Sequence, residues 1–157
     1  MQESDTQPGI FGGILEKYAD EFWLLFRVIF AILVFLHGAQ KTFGWDFPTP
    51  FTHPLGFPVY LAGWVELVSA FLIAFGLLTR LGAGALCVTM VVAYFMVHVN
   101  SGVLPHIYPN PPGDMGSAFG AHGGEVTILW FIVAGVIGVI GGGKYALDRV
   151  VFKREPL

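Results

Sequence analysis

Four long runs of apolar residues dominate the chain, separated by segments rich in polar residues, Pro and Gly. Each run is about 20 residues long, enough for a helix to cross roughly 30 Å of hydrocarbon at about 1.5 Å per residue. Because backbone amides in hydrocarbon must be paired within the segment, such runs predict helices. The pattern therefore predicts an all-α fold, an integral membrane four-helix bundle with helices at about 22–43, 59–78, 81–99 and 121–140.

The connections between these helices differ in length. Only Thr79 and Arg80 separate the second helix from the third, which predicts a tight antiparallel hairpin. The connections at 44–58 and 100–120 are long and rich in Pro and Gly, which disfavour helix. We expect a single transmembrane domain over 1–157, with an N-terminal tail at 1–20 and a C-terminal tail at 143–157.

Positive charge is unevenly divided between the two ends of the predicted bundle. Lys41 lies at the end that holds both long loops. The end that holds the termini and the hairpin carries six positive residues: Lys17, Arg80, Lys144, Arg149, Lys153 and Arg154. The positive-inside rule then predicts cytoplasmic termini and external loops. We expect a multi-pass protein of the inner (plasma) membrane, of bacterial or archaeal type.

Small residues suggest which helix faces meet. On the third helix, spacings of three and four predict a seam that points at one neighbour, formed by Gly84, Cys87, Val91, Tyr94 and His98. On the fourth helix, Ala134, Gly138 and Gly142 recur every four residues, a pattern that lets helices approach closely.

Composition excludes several classes of protein. The mean hydropathy is +0.69 and only 12% of residues are charged, against about 25% in soluble domains. With a net charge of -3 the chain has no basic surface for nucleic acid. Its one cysteine, Cys87, cannot form an intramolecular disulfide or a redox thiol pair. The acidic first twenty residues do not resemble a secretory signal.

Ionisable residues inside the predicted helices are the main functional signal, since a charge at a helix centre costs at least about 2.5 kcal/mol. Counted from the external ends, His37 lies about 9 Å deep, Glu66 about 10 Å and Glu125 about 6 Å, with His98 near the edge. Lys41 is about 40° from His37 around the first helix, so the two share a face. We expect these groups to meet in the outer third of the bundle.

Several functions are compatible with such a cluster. The histidines and carboxylates could exchange protons with a quinol, bind a metal, or hold haem b through His37 and His98. Alternatively, the carboxylates only neutralise nearby positive charges. We assign proton exchange to His37 and Glu66, and pocket support to Lys41, Gln40, His98 and Glu125. Anchoring is assigned to Arg27, Arg80 and Asp148, with Arg27 either reaching the headgroups or pairing with Asp148.

The chain also resembles the DoxX-like membrane proteins from Arg27 to Asp148. The resemblance lies in Arg27 and His98 and in five short strings: HGAQKTFG (37–44), GWVE (63–66), GLLTR (76–80), GGE (123–125) and GKYALD (143–148). It implies a four-helix inner-membrane protein of redox metabolism. The family is named after a small subunit linked to thiosulfate:quinone oxidoreduction, and other members look like partners of oxidative-stress enzymes.

Two hypotheses of different classes follow. The first is a small membrane subunit of a quinone-linked, respiratory-type redox assembly, with a polar pocket in the outer membrane half. The second is a non-catalytic accessory subunit that binds other membrane or redox subunits within the bilayer. Whether the chain is itself an enzyme stays open at this point.

Overall fold

The computed structural model describes residues 10–44, 56–98 and 124–153, and these ranges contain helices and turns but no strand. The elements are α1 (Ile10–Lys17), α2 (Ala19–Phe43), α3 (Phe57–Phe75), α4 (Thr79–Ala93), a π-helical turn (Tyr94–His98), α5 (Glu125–Ile140) and α6 (Leu147–Val151). Three helices in these ranges are long and apolar enough to cross a membrane: Ala19–Phe43, Phe57–Phe75 and Thr79–Met96. The fourth, α5, is a shorter apolar helix. The predicted all-α membrane helix bundle is confirmed.

Two boundaries shift at the hairpin between α3 and α4. Gly76 adopts a φ of +68° and donates its N–H to the carbonyl of Ile73, which ends α3 before the predicted residue 78. This left-handed C-cap conformation costs glycine little because it has no Cβ. As a result α4 begins at Thr79 rather than at residue 81. Near the N-terminus, helix α1 lies within the segment predicted as an N-terminal tail.

One apolar core joins the four long helices. Val34 of α2, Ile73 of α3, Leu86 of α4 and Ile137 of α5 are each 0% exposed. The helices pack in chain order, α2 on α3, α3 on α4 and α4 on α5. Trp130 of α5 packs edge-on against Phe30 of α2, with ring centroids 5.8 Å apart, so α5 also contacts α2.

The small-residue face of α5 is confirmed at Ala134 and Gly138, whereas Gly142 lies beyond the end of the helix at Ile140. Ala134 is fully buried, and a Cβ built on Gly138 would lie 3.5 Å from the Cβ of Ala83 on α4. A methyl group at this position would make ordinary van der Waals contact with Ala83, so α4 and α5 lie close together here.

The predicted seam of α4 is correct at Cys87, whose thiol donates to the carbonyl of Phe131 on α5 at 3.5 Å, and wrong at Gly84. Gly84 and Val91 are exposed, and nothing lies within 4 Å of a Cβ built on Gly84. The inward face is formed by Thr79, Gly82, Ala83, Leu86 and Met90. In a membrane helix both the lipid-facing and the core-facing sides are apolar, so a run of apolar residues does not mark the inward side.

Residues 141–151 pack against the bundle, although they fall largely in the segment predicted as a C-terminal tail. Ala146 and Asp148 are each 2% exposed. Trp23 of α2 donates its indole N–H to the carbonyl of Gly141 at 3.0 Å. The segment is therefore fixed to the start of α2.

Two surface contacts strengthen this attachment. Lys144 pairs with Asp20 at 3.3 Å, and Tyr145 donates its hydroxyl to Glu21 at 3.0 Å. The hydrogen bond to Asp20 raises the pKa of Lys144, and the bond to Glu21 raises the pKa of Tyr145. The contribution of the lysine pair is complete below the ordinary lysine pKa and disappears as pH rises through the raised pKa.

Candidate functional site

An ion pair links α2 and α3 in the half of the bundle near Gly44 and Gly56. The ammonium of Lys41 lies 2.5 Å from Oε1 of Glu66. The Glu66 side chain is 0% exposed, whereas that of Lys41 is 20% exposed. We call this pair, with the adjacent His37 and Thr42, the loop-end site.

A close glycine crossing positions this pair. A Cβ built on Gly38 would lie 2.8 Å from the carbonyl oxygen of Gly63, so the two backbones touch. A Cβ on Gly63 would lie 2.6 Å from the Thr42 hydroxyl oxygen and 2.8 Å from the Lys41 Cβ. α2 and α3 run antiparallel, so the steps from Gly38 to Lys41 and from Gly63 to Glu66 lead in opposite directions, and the long Lys41 side chain spans the difference to reach the carboxylate.

Two oxygens of the loop-end site are buried without a hydrogen-bond partner among the described residues. They are Oε2 of Glu66 and Oγ1 of Thr42. A buried oxygen left unpaired costs about 1–3 kcal/mol, and more for a charged group. Sequence reasoning did not select Thr42 as a site residue. Its position four residues after Gly38, on the face that meets Gly63, is the signal that could have found it.

His37 lies on the side of α2 that faces α5. Its ring meets Trp130 edge-on, with ring centroids 4.5 Å apart, and Nδ1 donates to the carbonyl of Leu33 at 3.2 Å. The second ring nitrogen, Nε2, is then the acceptor in the neutral imidazole. The charges of Lys41 and Glu66 act on this ring, and the residue as a whole is exposed.

The remaining predicted pocket residues are less closely associated. Gln40 is half-buried on α2, and Glu125 is exposed at the first residue of α5. His98 is the last residue of the π-helical turn, and its side chain lies outside the described part of the structure. The structure thus brings together Lys41 and Glu66 and leaves Glu125 at the surface.

Metal and haem sites receive no support from these positions. Within the described ranges, no group of three or more His, Cys, Asp or Glu side chains is placed to hold a metal ion. The haem hypothesis depends on the side chain of His98, which lies outside those ranges.

A second polar cluster lies at the opposite end of the bundle. Asp148 accepts the backbone N–H of Leu78 at 2.8 Å and that of Thr79 at 3.4 Å, and its own N–H donates to the carbonyl of Gly76 at 3.0 Å. Leu78 has a φ of +48°, a conformation that is uncommon for leucine. Asp148 therefore caps the first turn of α4 from about 70 residues away.

Arg27 is enclosed in this same cluster. It is 0% exposed, so its guanidinium lies inside protein rather than among headgroups. A side chain on Gly76 would overlap this guanidinium, and one on Gly142 would lie 2.8 Å from the Thr79 hydroxyl oxygen. We call Arg27, Gly76, Thr79, Gly142 and Asp148 the hairpin-end cluster. Arg80, the third predicted anchor, is exposed next to it.

An apolar crevice of about 130 Å³ opens between α4 and α5. Its walls include two residues of the π-helical turn, a type of helix distortion that is common near functional sites. The lining residues are Met90, Val91, Tyr94, Phe95, Thr127, Ile128 and Phe131. None of them belongs to the loop-end site.

Comparison with known proteins places these features in a family. The DoxX family model matches residues 22–99, which include Arg27, Lys41 and Glu66. An uncharacterized protein of Haemophilus influenzae is 34% identical over 144 residues, which cover 89% of this chain and 98% of that protein. The chain belongs to the DoxX family. It is therefore a membrane protein with transmembrane helices that contact the lipid bilayer.

Other relatives of this DoxX protein are more distant. A Bacillus subtilis protein named "Putative oxidoreductase CatD" is 29% identical over 133 residues, which cover 83% of this chain and 87% of that protein. A second uncharacterized protein of Haemophilus influenzae is 27% identical over 142 residues, or 85% of each chain. No solved structure matches the chain significantly.

Proposed function

We propose that this DoxX protein is a small membrane subunit of a quinone-linked redox assembly, and that the loop-end site exchanges protons with the quinone. The observation that carries the proposal is the fully buried Glu66, which pairs with Lys41 through one oxygen and has no partner for the other among the described residues. The name of the Bacillus subtilis relative supports a redox role.

The proposed orientation places the loop-end site in the outer half of the inner membrane. Positive residues of the described chain support it, because Arg80, Lys144 and Arg149 lie at the hairpin end and Lys41 lies at the other. The protein is then a single-domain, multi-pass protein with cytoplasmic termini. Redox subunits that exchange electrons with the quinone are the proposed partners.

The residues of the loop-end site fit such a carrier. Lys41 has three donor protons, of which the Glu66 contact uses one, so it can also donate to a carbonyl oxygen. Nε2 of His37 can accept a proton from a hydroxyl. Bound quinone would supply the two-electron chemistry, and the protein groups would hold and move the protons.

Replacing Glu66 with glutamine tests this function. Gln keeps the size of the side chain but cannot accept a proton, so we expect quinone-linked turnover to fall at least about 100-fold. Turnover is measured as quinol oxidation in membranes that contain the whole assembly, and binding as retention of a labelled quinone analogue by the purified protein. The control is Glu16→Gln, which changes an exposed carboxylate of α1. If the parent protein neither binds the analogue nor affects turnover, the function is wrong.

The same burial also supports the alternative, a non-catalytic accessory subunit. A buried ion pair can fix α2 against α3 without taking part in a reaction. The double substitution of Lys41 and Glu66 by methionine separates the two functions. Exchanging a buried ion pair for apolar residues is often neutral for stability. An accessory subunit should then assemble and support normal turnover, whereas a proton-exchanging subunit should assemble and lose turnover. Assembly is measured by co-purification with the redox subunits.

A further inference from the structure

The two members of the loop-end ion pair differ in access from outside the bundle. Glu66 is 0% exposed, while the Lys41 side chain is 20% exposed and contacts Glu66 directly. A molecule at the bundle surface can therefore reach the Lys41 side chain but not the carboxylate of Glu66.

The glycine crossing closes the approach between α2 and α3. Besides its contact with the Gly63 carbonyl, a Cβ on Gly38 would lie 2.9 Å from the backbone nitrogen of Leu67. Backbones at this distance leave no room for a ring between the helices. Among the described residues, Lys41 thus lies between Glu66 and the surrounding membrane.

We propose that Lys41 is the residue that touches the carrier, and that it relays protons between the carrier and Glu66. This inference rests on the proposed function and changes the role given to Lys41 from support to direct contact. The carrier class is a quinol whose hydroxyl reaches Nζ.

The relay step balances in protons and charge. Lys41, as the ammonium, passes a proton to Oε1 of Glu66 and takes one from the carrier hydroxyl, breaking that O–H bond. Glu66 becomes neutral, Lys41 stays positive, and the carrier oxygen keeps the electron pair of the broken bond. The electrons then leave for an electron-accepting redox centre of the partner subunit.

The burial of the Lys41–Glu66 ion pair favours proton transfer from the carrier through Lys41 to Glu66. After the step the single positive charge lies on the partly exposed Lys41, and the enclosed carboxyl is neutral. Direct loss of a proton from Lys41 to the carrier would instead leave the carboxylate of Glu66 charged and unpaired in the interior, which is strongly unfavourable.

Protection of Lys41 from chemical modification tests the carrier contact. The purified full-length protein in lipid nanodiscs is treated with an amine-acetylating reagent, with and without a short-chain benzoquinol at ten times its measured dissociation constant. Acetylation of Lys41, followed by mass spectrometry, should slow about tenfold, as expected from the factor 1 + [L]/Kd. Lys144 at the hairpin end is the control and should react at an unchanged rate.

The outcomes separate this inference from the proposed function. If the benzoquinol binds but Lys41 reacts at the same rate, the carrier contact is wrong and the proposed function stands. If neither the benzoquinol nor a naphthoquinol binds, both are wrong.

Access to Glu66 gives a second measurement that needs no carrier. The lipid-soluble reagent dicyclohexylcarbodiimide should leave Glu66 unmodified in the parent and in Lys41→Arg, where a long side chain still covers the carboxyl. It should modify Glu66 in Lys41→Ala. Modification in the parent, or its absence in Lys41→Ala, would show that Lys41 does not control access.

Discussion

Replacing Asp148 with alanine is expected to lower the free energy of unfolding by about 3–5 kcal/mol, the cost typical of removing one partner from a buried charge cluster. The substitution removes the acceptor for the N–H groups of Leu78 and Thr79 at the start of α4. It also removes the buried carboxylate from the hairpin-end cluster, in which the fully buried Arg27 lies. Reversible unfolding in mixed micelles, followed by tryptophan fluorescence, measures the loss.

A carboxylate at the same end of the bundle provides the control. Asp20 is 50% exposed and pairs with Lys144 at the surface. Exposed pairs contribute little because water and salt screen them, so Asp20→Ala should cost only a small fraction of the Asp148→Ala effect. Equal losses for the two variants would show that the hairpin-end cluster does not stabilise the bundle.

The number and type of helices followed from the sequence, because an apolar run of about 20 residues has few other ways to satisfy its backbone in a membrane. The ends of α3 and α4 were less predictable. They depend on the positive φ of Gly76 and on the capping of Leu78 by Asp148, a contact between segments about 70 residues apart. The pattern of apolar residues predicts neither the backbone conformation of Gly76 nor the contact between Leu78 and Asp148.

The loop-end site could be predicted only in part. Counting residues along each helix placed His37 and Glu66 at similar depths and put Lys41 on the same helix face as His37, and the structure pairs Lys41 with Glu66. Depth fixes only one coordinate, however, and rotation about the helix axis decides whether a side chain points inward. The exposed position of Glu125 on α5 and the inward position of Thr42 on α2 both depend on that rotation.

Rotation could not be predicted because lipid and protein core are both apolar. On α4, the exposed Val91 and the buried Leu86 are equally hydrophobic in character. The informative residues were the glycines whose Cβ position is occupied by a neighbouring backbone. Gly38 and Gly84 look alike in the sequence, yet only Gly38 lies at a helix crossing.

The difference between such glycines gives the second large expected effect. Gly38→Ala should lower the free energy of unfolding by about 1–3 kcal/mol, because the new methyl group forces α2 and α3 apart. The atoms it meets belong to the backbone of α3, the Gly63 oxygen at 2.8 Å and the Leu67 nitrogen at 2.9 Å, and neither can rotate away. The same unfolding titration measures the change.

Gly135→Ala is the matched control, since Gly135 also lies within a long helix but has nothing within 4 Å of its Cβ position. There the better helix propensity of alanine should leave stability unchanged or raise it by up to about 1 kcal/mol. Separation of α2 from α3 should also lengthen the contact between Lys41 and Glu66, so Gly38→Ala should make Glu66 reactive toward dicyclohexylcarbodiimide. If Gly38→Ala is as stable as Gly135→Ala and Glu66 stays unreactive, the glycine crossing does not hold the ion pair closed.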